Sequence, residues 1–133
     1  ERRIWVLLGD GETQEGQVWE AAMASNYHNV NNLRVIVDRN RIQNDDFMEV
    51  QMEIGDIGHK FQSFGWSVRE VDGHNMAELI EVMGWTENTD SGPIAIIANT
   101  TKGKGVSFME DNPEFHGKAP NDEELEIAME ELS

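Results

Sequence analysis

The sequence predicts an α/β protein, a parallel β-sheet flanked by helices. Two observations carry that expectation. Short apolar runs alternate with segments of helical spacing, and polar residues suited to ligand chemistry stand just after the first two runs. Alternation of strand, helix and strand is the pattern of a parallel sheet with right-handed crossovers.

The elements follow in order. The runs "IWVLL" (4–8) and "PIAIIAN" (93–99) are nearly continuous in Ile, Val, Leu and Ala, which suits strands buried on both faces. "LRVIVD" (33–38) and "WSVREV" (66–71) supply two more strands. Residues 14–28 place Val18, Ala21, Ala22 and Ser25 on one small-residue helical face, fit for close packing on a sheet. "IGHKFQSFG" (57–65) sets Ile57, Phe61 and Phe64 on one face, and "NMAELIEVMG" (75–84) aligns Met76, Leu79, Ile80 and Met83. At the C-terminus Asn121 is the expected N-cap of a last helix, with Glu124 completing a capping box. Leu125, Ala128, Met129 and Leu132 form its apolar stripe, and its acidic first turn complements the helix dipole. Trp5, Trp19, Trp66 and Trp85 are expected to be packing residues.

Composition bounds the function. The net charge of −16 argues against binding a nucleic-acid backbone or an anionic membrane, both of which need clustered Lys and Arg. The absence of cysteine excludes disulfides, zinc thiolate sites and thiol nucleophiles. No apolar run approaches the ~20 residues of a membrane span and no signal peptide opens the chain, so the expected location is cytoplasmic. Asn99-Thr100-Thr101 matches a glycosylation acceptor, which without a secretory context is a chance match. The 133 residues read as one partial domain, 1–133, because the chain opens without Met and enters a strand almost at once.

The turn Gly9-Asp10-Gly11 poses the chemical question. Glycine turns between strand and helix cradle phosphates, yet here a carboxylate stands between the glycines. Two like charges ~4 Å apart at an effective dielectric of ~20 repel by about 4 kcal/mol. A cation must therefore stand between Asp10 and any phosphate. Gly9, Gly11 and Gly16 do not make a dinucleotide fingerprint, and the lysine of a P-loop is absent. The next strand ends in Asp38, Asn40 and Gln43, again where ligands bind in open α/β sheets. Asp10 and Asn40 could converge on one hard divalent cation, which takes oxygen ligands from carboxylates, amides, carbonyls and phosphates. No EF-hand follows Asp38, since the required Gly and Glu are missing.

Gly9-Asp10-Gly11 with a long spacer and Asn40 resembles the thiamine diphosphate motif of transketolase-type enzymes. "LLGDGETQEGQVWEAAMAS", "NLRVIVDRNRIQ", "FGWSVREVDGH", "TTKGKGVSFME" and "FHGKAP" resemble successive transketolase blocks, in order and from end to end of the chain. The resemblance implies a thiamine diphosphate-binding fold, truncated at its N-terminal side, that holds thiamine diphosphate through Mg²⁺ (or Ca²⁺). It implies Asp10 and Asn40 as side-chain metal ligands, Ile42 as a carbonyl ligand, and Gly9 and Gly11 in the diphosphate turn. It further implies Lys102 and His116 closing over cofactor and sugar, and Glu15 near the cofactor at a subunit interface with a proton-relay role. His28, His59 and His74 gain no such support, and His74 in "DGH" is expected to serve a turn.

The implied reaction is two-carbon ketol transfer from a ketose phosphate to an aldose phosphate. The family's activating glutamate lies in a separate pyrimidine-binding domain or subunit, so this chain is expected to carry the metal end of the site and to be inactive alone, within a homo-oligomer or heteromer. After "RIQ" the chain reads Asn44-Asp45-Asp46, where many transketolases continue with an aliphatic residue and Asp-Gly. A polar residue there also resembles a branch of short, split transketolase-like proteins. Two further readings stand beside the main one. The first is another thiamine enzyme, such as deoxyxylulose phosphate synthase or a 2-oxoacid dehydrogenase α subunit, against which "TTKGKGVSFMED" with "FHGKAP" speaks. The second is a non-catalytic subunit that assembles or holds cofactor.

Overall fold

The structure, a computed structural model, describes residues 2–44, 46–89 and 92–133. In chain order its elements are β1 (Ile4–Gly9), α1 (Gly16–Tyr27), β2 (Leu33–Arg39), β3 (Ile42–Gln43), β4 (Asp46–Phe47), α2 (Met48–Gln51), α3 (Ile57–Ser63), β5 (Ser67–Asp72), α4 (Met76–Glu87), β6 (Ile94–Asn99) and α5 (Asp122–Glu131). Short 3-10 turns at Gly11–Gln14 and Pro113–Phe115 interrupt the loops. Four strands form one parallel sheet in the order β1-β2-β6-β5, and β3 and β4 make a small antiparallel hairpin. The expected fold class is the observed one. Among the described residues no helix is long and apolar enough to cross a membrane.

Register decides which side chains share a face. Val35 pairs with Ala95 and Val37 with Ile97, so these four point to one side, where Ala22 of α1 and Ile57 and Phe61 of α3 cover them. Trp66 closes this core, its Nε1 donating to the Ala22 carbonyl at 2.9 Å, and Phe61 packs between Trp19 and Trp66. On the opposite side Arg34 is buried and donates to the Thr86 carbonyl at 3.1 Å, which ties β2 to α4. Each fully buried Ile of β6 contributes about 1.5–3 kcal/mol of apolar transfer.

Several expectations need correction. β6 is buried from Ile94 to Ala98, but β1 is not buried on both faces: among the described residues it is one edge of the sheet, with Leu7 70 % exposed. Trp5, on that strand, is exposed rather than packed. In α4 the inward face is Leu79, Val82, Met83 and Thr86, whereas Met76 and Ile80 face solvent. In α1 only Ala22 of the small-residue face is fully buried, beside a half-buried Val18, and Ala21 is exposed. The last helix starts as the sequence requires, with Asn121 and Glu124 exchanging both capping-box bonds. Of its stripe only Ala128 is buried; Leu125, Met129 and Leu132 are exposed.

Candidate diphosphate and metal site

All four sheet strands run the same way, so their carboxyl ends meet along one rim. A cleft of about 800 Å³ opens there. Each strand contributes residues at or just beyond its end: Asp10 from β1, Arg39, Asn40 and Arg41 from β2, Asp72 and His74 from β5, and Asn99, Thr100 and Thr101 from β6. Segment 47–57 forms another wall, and Lys104 and Asp111 close the mouth. This is where an open α/β sheet binds ligands.

Asp10 is the fixed point. It is only 2 % exposed, its own N–H donates to the Asp38 carbonyl at 3.1 Å, and Thr13 Oγ1 donates to its carbonyl at 2.6 Å. Its carboxylate takes one main-chain donor on each oxygen: Gly11 N–H to Oδ1 at 2.8 Å and Arg41 N–H to Oδ2 at 2.5 Å. Burial pushes the Asp10 carboxyl above its ordinary range against those two donors, and neighbouring Asp38 adds to the push while Arg39 opposes it. Gly11 is required by a close approach, since a Cβ there would stand 3.0 Å from both Cβ and Oε1 of Gln43. The N–H of Gly9 donates to Glu12 Oε2 at 2.6 Å, which completes the turn.

Asn40 lines the same cleft, its Oδ1 accepting from Ile42 N–H at 3.0 Å. Between them Arg41 adopts a left-handed conformation, φ +64°, that a non-glycine residue rarely takes. That conformation turns the chain out of β2 into the β3–β4 hairpin while aiming the Arg41 N–H at Asp10. Ile42 is buried in the hairpin.

The donor set fits a hard cation. It consists of oxygen atoms from a carboxylate and an amide, each with lone pairs beyond the single bond made on each oxygen, plus main-chain carbonyls. A cation would also offset the cost of a buried, ionised Asp10 beside Asp38. Among the described residues no group of three His, Cys, Asp or Glu side chains is placed to hold a metal ion.

Asp10 and Asn40 both line the cleft, whereas Gly9, Gly11 and Ile42 are their chain neighbours and do not line it. The structure does not bring the other expected residues to the lining. Glu15 is exposed at the start of α1 and makes no capping bond there. Lys102 is half-buried in the turn after β6, its carbonyl accepting from Asp111 N–H at 3.0 Å. His116 is exposed and closes the 3-10 turn, its N–H donating to the Pro113 carbonyl at 2.9 Å. Asp45, central to the departure after "RIQ", lies outside the described residues. Residues not singled out from the sequence also line the cleft: Arg39, Arg41 and Lys104 supply cations, and Thr100 donates to Asp38 Oδ1. "DRNR" around Asn40 and "TTKGK" after the last strand carried that signal.

A parallel sheet whose strand ends converge on a buried carboxylate, in a cleft lined by Arg39, Arg41 and Lys104 together with Glu49, Glu53, Asp72 and Asp111, defines an α/β domain with its ligand site at the carboxyl edge of the sheet. The chain belongs to the family described as transketolase, thiamine diphosphate binding domain, whose profile matches residues 1–133. It is 40% identical over 131 residues to one subunit of the apulose-4-phosphate transketolase of Phocaeicola vulgatus, covering 98% of this chain and 47% of that protein. It is 34% identical over 129 residues to the SqwG subunit of the 6-deoxy-6-sulfo-D-fructose transketolase from a Clostridium species, covering 97% of this chain and 47% of the relative. The chain thus spans about half the length of these curated relatives. Against the crystal structure of Campylobacter jejuni transketolase the TM-score is 0.90 at 28% identity, covering 98% of this chain and 20% of that one.

Proposed function

We propose that this chain is the cofactor-anchoring part of a transketolase-type enzyme, holding thiamine diphosphate through Mg²⁺ and working with a second part that completes the reactive site. The single observation that carries this reading is Asp10, buried at the strand ends with a donor on each oxygen, in a cleft that Asn40 also lines. Asp10 and Asn40 hold the ion by their side-chain oxygens and Ile42 by its carbonyl. A bound ion would supply the positive charge that lets a diphosphate stand beside a carboxylate, in a cleft where Arg39, Arg41 and Lys104 are offset by Glu49, Glu53, Asp72 and Asp111. When bound, thiamine diphosphate supplies the electron sink for moving a two-carbon unit between sugar phosphates. Glu15, exposed at the start of α1, contributes from an interface, and Lys102 and His116 approach when sugar and cofactor are in place.

Two relatives are named as transketolase subunits, which favours a cofactor-binding subunit over a self-contained transferase. The experiment is calorimetric titration of the chain, alone and with a complementing pyrimidine-binding part, with thiamine diphosphate and Mg²⁺. Mg²⁺-dependent binding that Asp10→Ala or Asn40→Ala abolishes is expected, with ketol transfer only in the complemented sample. Absence of cofactor binding even with the complement present overturns the reading.

A further inference from the structure

His74 lines the cleft yet has no place in the site described so far. It stands in the turn after β5, where its own N–H donates to Asp72 Oδ1 at 2.9 Å. Its Nε2 accepts from the main-chain N–H of Thr101 at 2.7 Å, across from the loop that follows β6. An imidazole nitrogen that accepts carries no proton, so this bond fixes the ring proton on Nδ1.

Three further contacts make that bond part of a clamp. Gly73 N–H donates to the Asn99 carbonyl at 2.8 Å, and a Cβ at Gly73 would stand 2.4 Å from Thr100 Cγ2. The β5 turn therefore touches residues 99–101 along its whole length. From the other side Thr100 is held by β2, its hydroxyl on Asp38 and its N–H on the Arg39 carbonyl at 3.2 Å. Thr101 is the last residue fixed in this way before Lys102, and its N–H has His74 as acceptor.

We infer that His74 is a positioning residue: by accepting the Thr101 N–H it sets where the loop carrying Lys102 and Lys104 stands over the cleft, and protonation of its ring releases that loop. An imidazolium has no acceptor lone pair, so the Thr101 N–H loses its partner on protonation. Charged groups around the ring come from each neighbouring element: Asp72 on its own turn, Glu78 of α4 bonded to Asp72 N–H, and Glu110 with Lys104 from the loop after β6. Only the statement that this loop serves a diphosphate rests on the proposed function; the latch itself does not.

The test is amide hydrogen exchange of the full chain, read as the protection factor of Thr101 against pH. In the wild type, protection is expected to fall about five- to tenfold as the ring gains its proton, the size of one net hydrogen bond. His74→Gln keeps an acceptor near the same place and should hold protection without pH dependence. His74→Ala should lose it at every pH while the β6 amides stay protected. Equal Thr101 protection in wild type and His74→Ala overturns the latch. If His74→Ala does not fold, a pH dependence that persists in His74→Gln overturns it instead. Calorimetry with Mg²⁺ and thiamine diphosphate in the complemented enzyme gives the second readout, with affinity expected to weaken severalfold in His74→Ala. Should the wild type bind no cofactor while Thr101 protection still follows His74, the cofactor reading falls and the latch stands.

Discussion

β1 and β6 are both short, apolar strands of the same parallel sheet, and they meet opposite fates. β6 lies between β2 and β5 and buries Ile94 through Ala98. Among the described residues β1 pairs on one side only, and its Ile4, Trp5, Val6 and Leu7 are exposed. Composition alone marks both as central; what separates them is the number of neighbours. β1 nonetheless delivers Asp10 to the site, because one parallel neighbour is enough to fix the height of its last residue beside Asp38. A sheet edge can position a ligand without being part of the core.

The sharpest way to break this contrast is to cut side chains from both strands. Ile97→Ala is expected to cost about 2–5 kcal/mol of stability, as for other buried aliphatic truncations. Leu7→Ala should cost less than ~0.5 kcal/mol in the chain alone, as for an exposed site. Urea denaturation measures both, and similar losses would show that β1 is covered in solution.

The turns that follow the two strands extend the comparison. After β6, Gly103 sits at φ +73° with its missing Cβ 2.5 Å from the Met109 carbonyl oxygen, so Gly103→Ala should destabilise by about 1–3 kcal/mol. After β1, Gly16 has open space around its missing Cβ, and Gly16→Ala should stabilise by about 0.4–1 kcal/mol through the unfolded chain. Thermal unfolding of the two variants should therefore shift in opposite directions.

An exposed apolar edge strand is a template for pairing. Light scattering of the chain alone should show concentration-dependent association that Leu7→Asp reduces, and unchanged association would remove β1 as the adhesive surface.

The smallest effect separates the loops by pH. Glu110, held low first by Gly105 N–H and then by Lys104, and Glu131, held low by Ser107, have folded values below the ordinary 4.5. Their contribution is complete above 4.5 and is lost as pH falls through the lowered values. Asp10 has the opposite sign: its raised value means that the fold prefers it protonated, so acidification toward 3.8 favours the metal-free fold. Glu131→Gln should flatten the acid limb of a melting-temperature profile by slightly lowering its neutral plateau, with the acid end nearly unchanged.

Local rules were legible in the sequence where they depend on near neighbours. The Asn121–Glu124 capping box, the Ile57–Phe61 face of α3 and the four strands of the main sheet follow from local pattern alone, whereas the β3–β4 hairpin gave no such signal. The face of α4 was misread because Met76 and Ile80 are apolar and periodic but lie beyond the reach of the sheet, whereas Thr86 is polar and buried under Arg34. Asp10 and Asn40 were visible as a pair because each follows a strand directly. The cations around them were not, since their convergence depends on strand order.

By itself the sequence determined the alternation of strands and helices, the placement of a carboxylate between two glycines, and the blocks that place the chain in its family. Those features are encoded by residues close together in the chain, through propensity, periodicity and turn chemistry. Only the tertiary structure decided which apolar strand became the edge and that β6 inserts between β2 and β5. It alone placed His74 against Thr101, 27 residues away. These depend on which strand pairs with which, a choice made by the packing of the whole sheet and not by any segment of it.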